Sequence, residues 1–168
     1  MQRRLDDEQL LIVGKIINHA FLVSNVFPIE ISMASFLSVL FEVEDSEILG
    51  SFLDFLTDTE KQLVESFCSS NSTKNSQPIF DILLEYGITN TPTKENIYQL
   101  MLKAGNVALI RNSNYAIKKI VDGMGMFWTK ISKKMFISLY LVTKPTPEKI
   151  IDAIDSDYSS PKDGKVTT

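Results

Sequence analysis

Few residues of this 168-residue chain could take part in catalysis. It has one cysteine, Cys68, and one histidine, His19, which lie far apart in the sequence. A zinc site needs clustered Cys, His or carboxylate ligands, and a Ser or Cys hydrolase needs a histidine base held by an acid. His19 has Ile16, Ala20 and Val23 as helical neighbours, so we expect a packed interior histidine. The sequence therefore predicts no metal site and no catalytic residue.

Other chemical patterns have simpler explanations. Gly123-Met124-Gly125 lacks the third glycine, the lysine and the preceding strand of a phosphate-binding loop, so it is interpreted as a helix break. The carboxylate pairs Asp6/Asp7 and Glu44/Asp45 stand at predicted helix starts, where the helix dipole favours negative charge. Cys68 precedes a polar loop and is interpreted as a bystander. No cofactor is predicted.

The composition is that of one globular domain. Hydrophobic residues make up 44% and charged residues 23% of the chain. The most apolar stretch, Leu10 to Val26, contains Lys15, Asn18 and His19, so it falls short of the roughly 18 continuous apolar residues of a membrane span. The acidic residues soon after Met1 argue against a signal peptide. We expect a cytoplasmic or nuclear protein that does not enter a membrane.

Charge is unevenly distributed along the chain. Residues 1–84 hold five basic and thirteen acidic side chains, whereas residues 85–168 hold twelve basic and eight acidic ones. The net charge of −4 gives no indication of nucleic-acid binding. Solvated helix surfaces explain the lysines of the second half, because lysine is mostly exposed in any protein. A patch that attracts an acidic partner is the alternative.

Apolar spacing of three and four residues predicts a mainly α-helical fold. A short strand pair near 26–31 or 87–91 is the only β structure considered. Thr57 and Glu60 fit a capping box, Gly87 ends a helix, and Phe127 and Trp128 are expected to be large anchors. Met135, Phe136, Leu139 and Tyr140 are expected to face inward. The predicted helices cover Leu10–Leu22, Ser32–Phe41, Ile48–Leu56, Thr57–Phe67, Pro78–Tyr86, Thr93–Ile110, Tyr115–Val121, Ser132–Val142 and Thr146–Ile154.

Several segments match a known family in order. The first is a helix with a glycine and a small residue before an aromatic, followed by a proline. The second is an apolar Ser-x-x-Asp-x-Leu stretch, and the third is Thr-x-Glu-Asn at the start of a long helix. The first feature corresponds to Leu11–Lys15, His19–Phe21 and Phe27–Ile29, the second to Ser51–Leu56, and the third to Pro92–Asn96. A glycine-aromatic break and two further helices follow in the family's order, at Gly125–Trp128, Ser132–Tyr140 and Thr146–Ile154. Together they resemble the N-lobe of HECT-type ubiquitin ligases.

The resemblance implies a division of labour. In this family the N-lobe docks a ubiquitin-charged conjugating enzyme, and a smaller C-lobe receives ubiquitin on a cysteine before passing it to a protein substrate. The expected domain is residues 1–155, with about 51–92 as a shortened docking subdomain and 156–168 as a polar tail. The chain stops at Thr168 before any C-lobe, and Cys68 does not match the catalytic cysteine. Transfer by this chain alone is not expected.

The resemblance also implies docking residues. Phe52, Phe55, Leu56 and Leu100 fall at the family's apolar contact positions for the conjugating enzyme. All four are equally consistent with ordinary core residues. The stretch between the two flanking segments is shorter than in the family and includes the polar loop from Ser69 to Ser76, a departure that counts against the docking groove. The alternatives to a ligase lobe are a non-catalytic helical interaction domain derived from the same fold and an unrelated helical adaptor.

Overall fold

Helices make up the regular structure of the described part of this chain, as the apolar spacing predicts. The computed structural model describes residues 6–24, 31–69 and 76–143, and these ranges contain no strand. The mainly α fold is thus confirmed. The helices are α1 Asp7–Ser24, α2 Met33–Leu40, α3 Asp45–Phe55, α4 Asp58–Ser69, α5 Gln77–Glu85, α6 Ile97–Gly105 with a π-helix Asn106–Arg111 following it, α7 Asn114–Met124, α8 Met126–Lys130 and α9 Lys133–Thr143.

Local capping interactions define where several helices begin and end. The backbone N–H of Thr57 donates to Glu60 at 2.7 Å, and the N–H of Glu60 donates back to Thr57 Oγ1 at 3.3 Å. This is the predicted capping box before α4. Glu44 and Glu47 form a second one at the start of α3. Gly87, with φ of 74°, follows α5 and adopts the left-handed geometry that glycine tolerates best.

The predicted long helix begins later than expected. Asn96, not Thr93, precedes the first residue of α6. The N–H of Thr93 donates to Asn96 Oδ1 at 2.7 Å, and Asn96 Nδ2 donates to the carbonyl of Thr91 at 3.0 Å. The amide of Asn96 therefore organises a turn ahead of the helix. Because this turn uses residues 93–96, helical geometry starts only at Ile97.

One predicted strand segment is not formed, and four other predicted segments lie at least partly outside the described ranges. Residues 87–91 form a turn and an irregular segment without a strand. The other proposed strand residues, 26–30, lie outside the described residues. So do positions 70–75 of the polar loop, the predicted helix Thr146–Ile154 and the tail 156–168.

Two apolar cores organise the helices. The central core is built by α3 to α6 and the π-helix, together with Ala34 of α2. The split core is built by α1, α2, α7, α8 and α9, so its residues come from both sides of the central segment. Helix α2 is shared, because Ala34 faces the central core while Phe36 and Leu37 face the split core. Val43 packs against both.

The π-helix is joined to α2 by a buried hydrogen bond. Ser35 is buried, and its hydroxyl donates to the carbonyl of Leu109 at 2.6 Å. The hydroxyl of Ser113 donates to the same carbonyl. A π-turn changes which carbonyls are bonded within the helix, and such turns are usually single local features. Here one carbonyl of the π-helix serves two side chains and fixes α2 against it.

Helices α1 and α7 cross with their backbones in contact. A Cβ atom on Gly14 would lie 2.0 Å from the carbonyl oxygen of Ile120, and one on Gly123 would lie 2.2 Å from that of Leu11. No side chain fits in either place. Near the start of both helices, Asp7 accepts a hydrogen bond from the Tyr115 hydroxyl and pairs with Lys119 at 2.9 Å. Two glycines thus allow this close packing.

Within residues 6–24, 31–69 and 76–143, no helix is both long enough and apolar enough to cross a membrane.

Candidate docking surface

The four residues predicted for docking lie in or on the central core. Phe52, Leu56 and Leu100 are buried there, whereas Phe55 is 58% exposed. The structure therefore brings together Phe52 and Phe55, whose ring centroids are 6.5 Å apart and nearly parallel. Only Phe55 presents enough surface to contact a partner. The other three are buried core residues, as the alternative interpretation predicts, and Phe52 is the one whose ring lies against Phe55.

The corner between α3 and α4 positions Phe55. It is the last residue of α3, and Leu56 after it is extended, with its N–H still bonded to the carbonyl of Phe52 at 3.1 Å. The capping box of Thr57 and Glu60 then starts α4 at once. Because both helix ends are fixed by hydrogen bonds, the Phe55 ring stands at a rigid corner.

Tyr86 is a second aromatic residue in contact with Phe52. Its ring meets the Phe52 ring edge to face, with centroids 5.2 Å apart. Tyr86 is half-buried at the end of α5. Its burial raises the pKa of its hydroxyl, and the charges of Glu60 and Glu85 raise it further. The tyrosine is therefore neutral at physiological pH and offers a hydrogen-bond donor beside the core.

Acidic side chains lie beside these two aromatic residues. Asp58 is exposed three residues after Phe55, and Glu60 and Glu85 act electrostatically on Tyr86. We call Phe55, Tyr86 and these three acids the Phe55 surface. An apolar anchor with acids beside it suits a partner with an apolar contact residue and a basic rim, because complementary charge steers encounter and fixes orientation.

Candidate chemical groups are not assembled elsewhere in the described part of the chain. No group of three His, Cys, Asp or Glu side chains there could hold a metal ion. Cys68 is exposed near the end of α4. His19 is exposed too, so the prediction of an interior histidine is wrong. The inward face of α1 carries Leu10, Gly14 and Ile17, and His19 does not lie on it.

Two other expected inward residues are also exposed. Phe127 is 47% exposed while its neighbour Trp128 is fully buried, so only one of the two predicted anchors lies within the core. On α9, Phe136 and Tyr140 are buried but Met135 is exposed. Helical spacing explains this, because positions one residue apart point in different directions around the axis.

Comparisons with known proteins give no relative. No protein-family model matches the chain, and neither a curated protein nor a solved structure does.

Proposed function

We propose that this chain is the N-lobe portion of a HECT-type ubiquitin ligase and that the Phe55 surface docks a ubiquitin-conjugating enzyme. The observation that carries the proposal is the exposed ring of Phe55 on the buried ring of Phe52. The order of motifs along the sequence and the mainly helical fold support the same assignment. Ubiquitin transfer itself would need a C-lobe, and the protein substrate would be bound by other regions.

The exposed Phe55 ring and the neighbouring acids would each contribute to binding affinity. An exposed aromatic side chain on a fixed base loses little conformational freedom when a partner covers it, so more of the contact energy appears as affinity. Interface hot spots are enriched in aromatic residues and lose about 2 kcal/mol or more on truncation. The acids around Phe55 and Tyr86 would favour conjugating enzymes with a basic docking face.

Direct binding tests the proposal. A panel of ubiquitin-charged conjugating enzymes is titrated against the full chain by biolayer interferometry. We expect at least one to bind, and Phe55→Asp to weaken it at least about 30-fold, the equivalent of an aromatic hot spot. Phe127→Asp is the matched control, because Phe127 is a comparably exposed phenylalanine that contacts Trp128 of the other core, and its change leaves the Phe55 surface intact.

Two results would contradict the proposal. One is the absence of binding by every conjugating enzyme to a chain whose circular dichroism spectrum is helical and whose unfolding is cooperative. The other is equal binding by the wild type and Phe55→Asp.

The second candidate is a non-catalytic helical interaction domain derived from the same fold. The burial of Phe52, Leu56 and Leu100 favours it, because only one of the four positions implied for docking is accessible. Such a domain would bind no conjugating enzyme while remaining fully folded. Its partner would then have to be sought on the other exposed surfaces of the chain.

A further inference from the structure

The outward side of α1 carries a row of exposed apolar residues. Ile12, Ile16 and Val23 are 45%, 61% and 72% exposed, and the exposed His19 lies between the last two. These positions follow one another at spacings of four, three and four residues, so they share one side of the helix, opposite Gly14 at the crossing with α7. We call Ile12, Ile16 and Val23 the α1 stripe. Such spacing is typical of a seam along which a second helix packs.

The α1 stripe is small for an interface between separate proteins. Stable interfaces of that kind use about 20–30 residues on each side, whereas the stripe has three apolar side chains. A segment of the same chain needs less contact, because its tether gives an effective concentration in the mM range and much of the entropy cost of association is avoided. The size of the stripe therefore favours an occupant from the chain itself.

The predicted helix Thr146–Ile154 has the apolar face that such an occupant needs. Its three isoleucines, Ile150, Ile151 and Ile154, fall on one side of a helix. A helix of about nine residues is marginal in water on its own, because helix nucleation is costly. The segment is therefore expected to be helical only when these isoleucines pack on an apolar surface.

Helix α9 ends within reach of α1. Ring contacts of 4.8, 6.3 and 6.2 Å run in succession along Phe21, Trp128, Phe136 and Tyr140. The Tyr140 ring of α9 thus lies at most about 17 Å from the Phe21 ring near the end of α1. The predicted helix starts three residues after α9 ends at Thr143, and three extended residues span up to about 10 Å. The segment can therefore reach the stripe.

Length and charge agree with this placement. At a rise of about 1.5 Å per residue, the stripe is about 16 Å long and the predicted helix about 13 Å. Helix α1 contains no acid after Glu8, and Lys15 is exposed three residues after Ile12. Residues 147–158 hold four acids and one lysine. The segment thus meets no like charge along most of α1.

We infer that residues Thr146–Ile154 form a helix that docks on the α1 stripe of the same chain, with the three isoleucines against Ile12 and Ile16. Docking covers the outward side of α1, so that α1 is packed between this helix and α7. It also joins the C-terminal part of the chain to its first helix. The inference does not rest on the ligase proposal.

Hydrogen–deuterium exchange of the full chain, followed by mass spectrometry, tests the inference. We expect amides within residues 147–154 to exchange at least about tenfold more slowly than in an unstructured peptide. Ile16→Glu should remove this protection. Because Ile16 is exposed and glutamate is a good helix former, α1 should keep its packing on α7. Leu84→Glu is the matched control, since Leu84 is an exposed apolar residue of α5, and it should leave the protection unchanged.

A cross-link gives a second measurement that does not depend on exchange rates. In a Cys68→Ser background, Ile16→Cys with Ile151→Cys should form a disulfide within one molecule on mild oxidation. Leu84→Cys with Ile151→Cys should form none.

Three results would overturn the inference. The first is exchange of residues 147–154 at the rate of an unstructured peptide in the wild type, and the second is equal protection in the wild type and Ile16→Glu. The third is a cross-link between Ile16→Cys and Ile151→Cys that joins two molecules on a non-reducing gel, because the occupant would then come from a second copy.

Discussion

The two cores are held together by contacts of different range. Around the central core, the capping hydrogen bonds join residues three apart, as between Thr57 and Glu60 or Thr93 and Asn96. Across the split core, side-chain hydrogen bonds join residues more than a hundred positions apart: Asp7 with Tyr115, Asn18 with Trp128 and Ile31 with Tyr140. The central core also has a long-range bond, between Ser35 and Leu109, but it closes within residues 34–109, whereas the split core needs helices from both sides of that segment.

The difference has an entropic cause. Closing a longer loop costs more conformational entropy, and folding slows as contacts become less local. The central segment brings the two parts of the split core together, because α2 packs on both cores and Lys133 of α9 pairs with Glu47 of α3. The split core therefore depends on the central core more than the reverse.

The largest expected effect comes from the crossing of α1 and α7. Gly14→Val places a side chain against the backbone of Ile120, which cannot move aside as a side chain can. We expect a loss of about 3 kcal/mol or more in the free energy of unfolding, at the upper end for overpacked sites. Thermal unfolding followed by circular dichroism should shift down by about 6 °C or more.

Gly50→Ala is the matched control for this change. Nothing lies within 4 Å of the added Cβ, and Gly50 is exposed within α3. Because alanine is the better helix former, Gly50→Ala should be neutral or stabilise by up to about 1 kcal/mol. If Gly14→Val unfolds at the same temperature as the wild type, the two backbones do not pack as described.

A middle-sized effect tests how the two cores depend on each other. Leu83 is fully buried in the central core, so Leu83→Ala should cost about 2–5 kcal/mol through lost burial and a cavity. Trp128 is the one tryptophan of the chain and lies in the split core. We expect its fluorescence transition to fall together with the circular dichroism transition in this variant, because the split core needs the central segment to close.

The reverse experiment uses Phe136→Leu, which changes the split core directly. It should lower the Trp128 fluorescence transition more than the circular dichroism transition, because Phe136 and Trp128 share the split core and the central core depends on it less. If Leu83→Ala leaves the Trp128 transition at the wild-type denaturant concentration while helical signal is lost earlier, the two cores unfold independently and the comparison fails.

The smallest expected effect concerns pH. The hydrogen bond from Tyr115 and the interactions with Lys119 lower the pKa of Asp7. A carboxyl with a lowered folded-state pKa contributes stability above its unfolded pKa of about 4, and this stability is lost as pH falls through the folded value. The wild-type melting temperature should therefore fall slightly more than that of Asp7→Asn as the pH drops from about 5 to 3.

Asp6→Asn is the control for the pH experiment. Asp6 accepts a hydrogen bond from the N–H of Gln9 at 2.8 Å, and asparagine caps helices equally well. Because Asp7 is exposed, high salt should reduce the difference between the wild type and Asp7→Asn. If the melting temperatures of the wild type and Asp7→Asn fall equally as the pH is lowered, the ion pair between Asp7 and Lys119 forms no stabilising contact in solution.

Sequence reasoning succeeded where the physical cause is local. The capping box of Thr57 and Glu60, the helix end at Gly87 and the break at Gly125 depend on residues within one turn, so spacing alone identified them. The helix periodicity predicted the mainly α fold for the same reason. The HECT resemblance and its docking role remain predictions.

The remaining features depend on contacts between distant segments. Gly123 was interpreted as part of a helix break, yet it lies within α7 and is needed for the approach of α1. The exposure of Phe55, Phe127 and His19 depends on which face of each helix a neighbour covers. Apolar type alone cannot separate an exposed aromatic from a buried one, because large apolar residues occur in both places.

Helix α1 is synthesised well before α7, the helix that it packs against at the glycine crossing. Eighty-nine residues separate the end of α1 at Ser24 from the start of α7 at Asn114. At about 5–20 residues per second, α1 leaves the ribosome roughly 4–18 s before its packing partner. During that interval, the face of α1 that carries Leu10, Gly14 and Ile17 has no α7 to cover it. Chaperone capture of nascent chains should therefore peak before α7 emerges and decline afterwards.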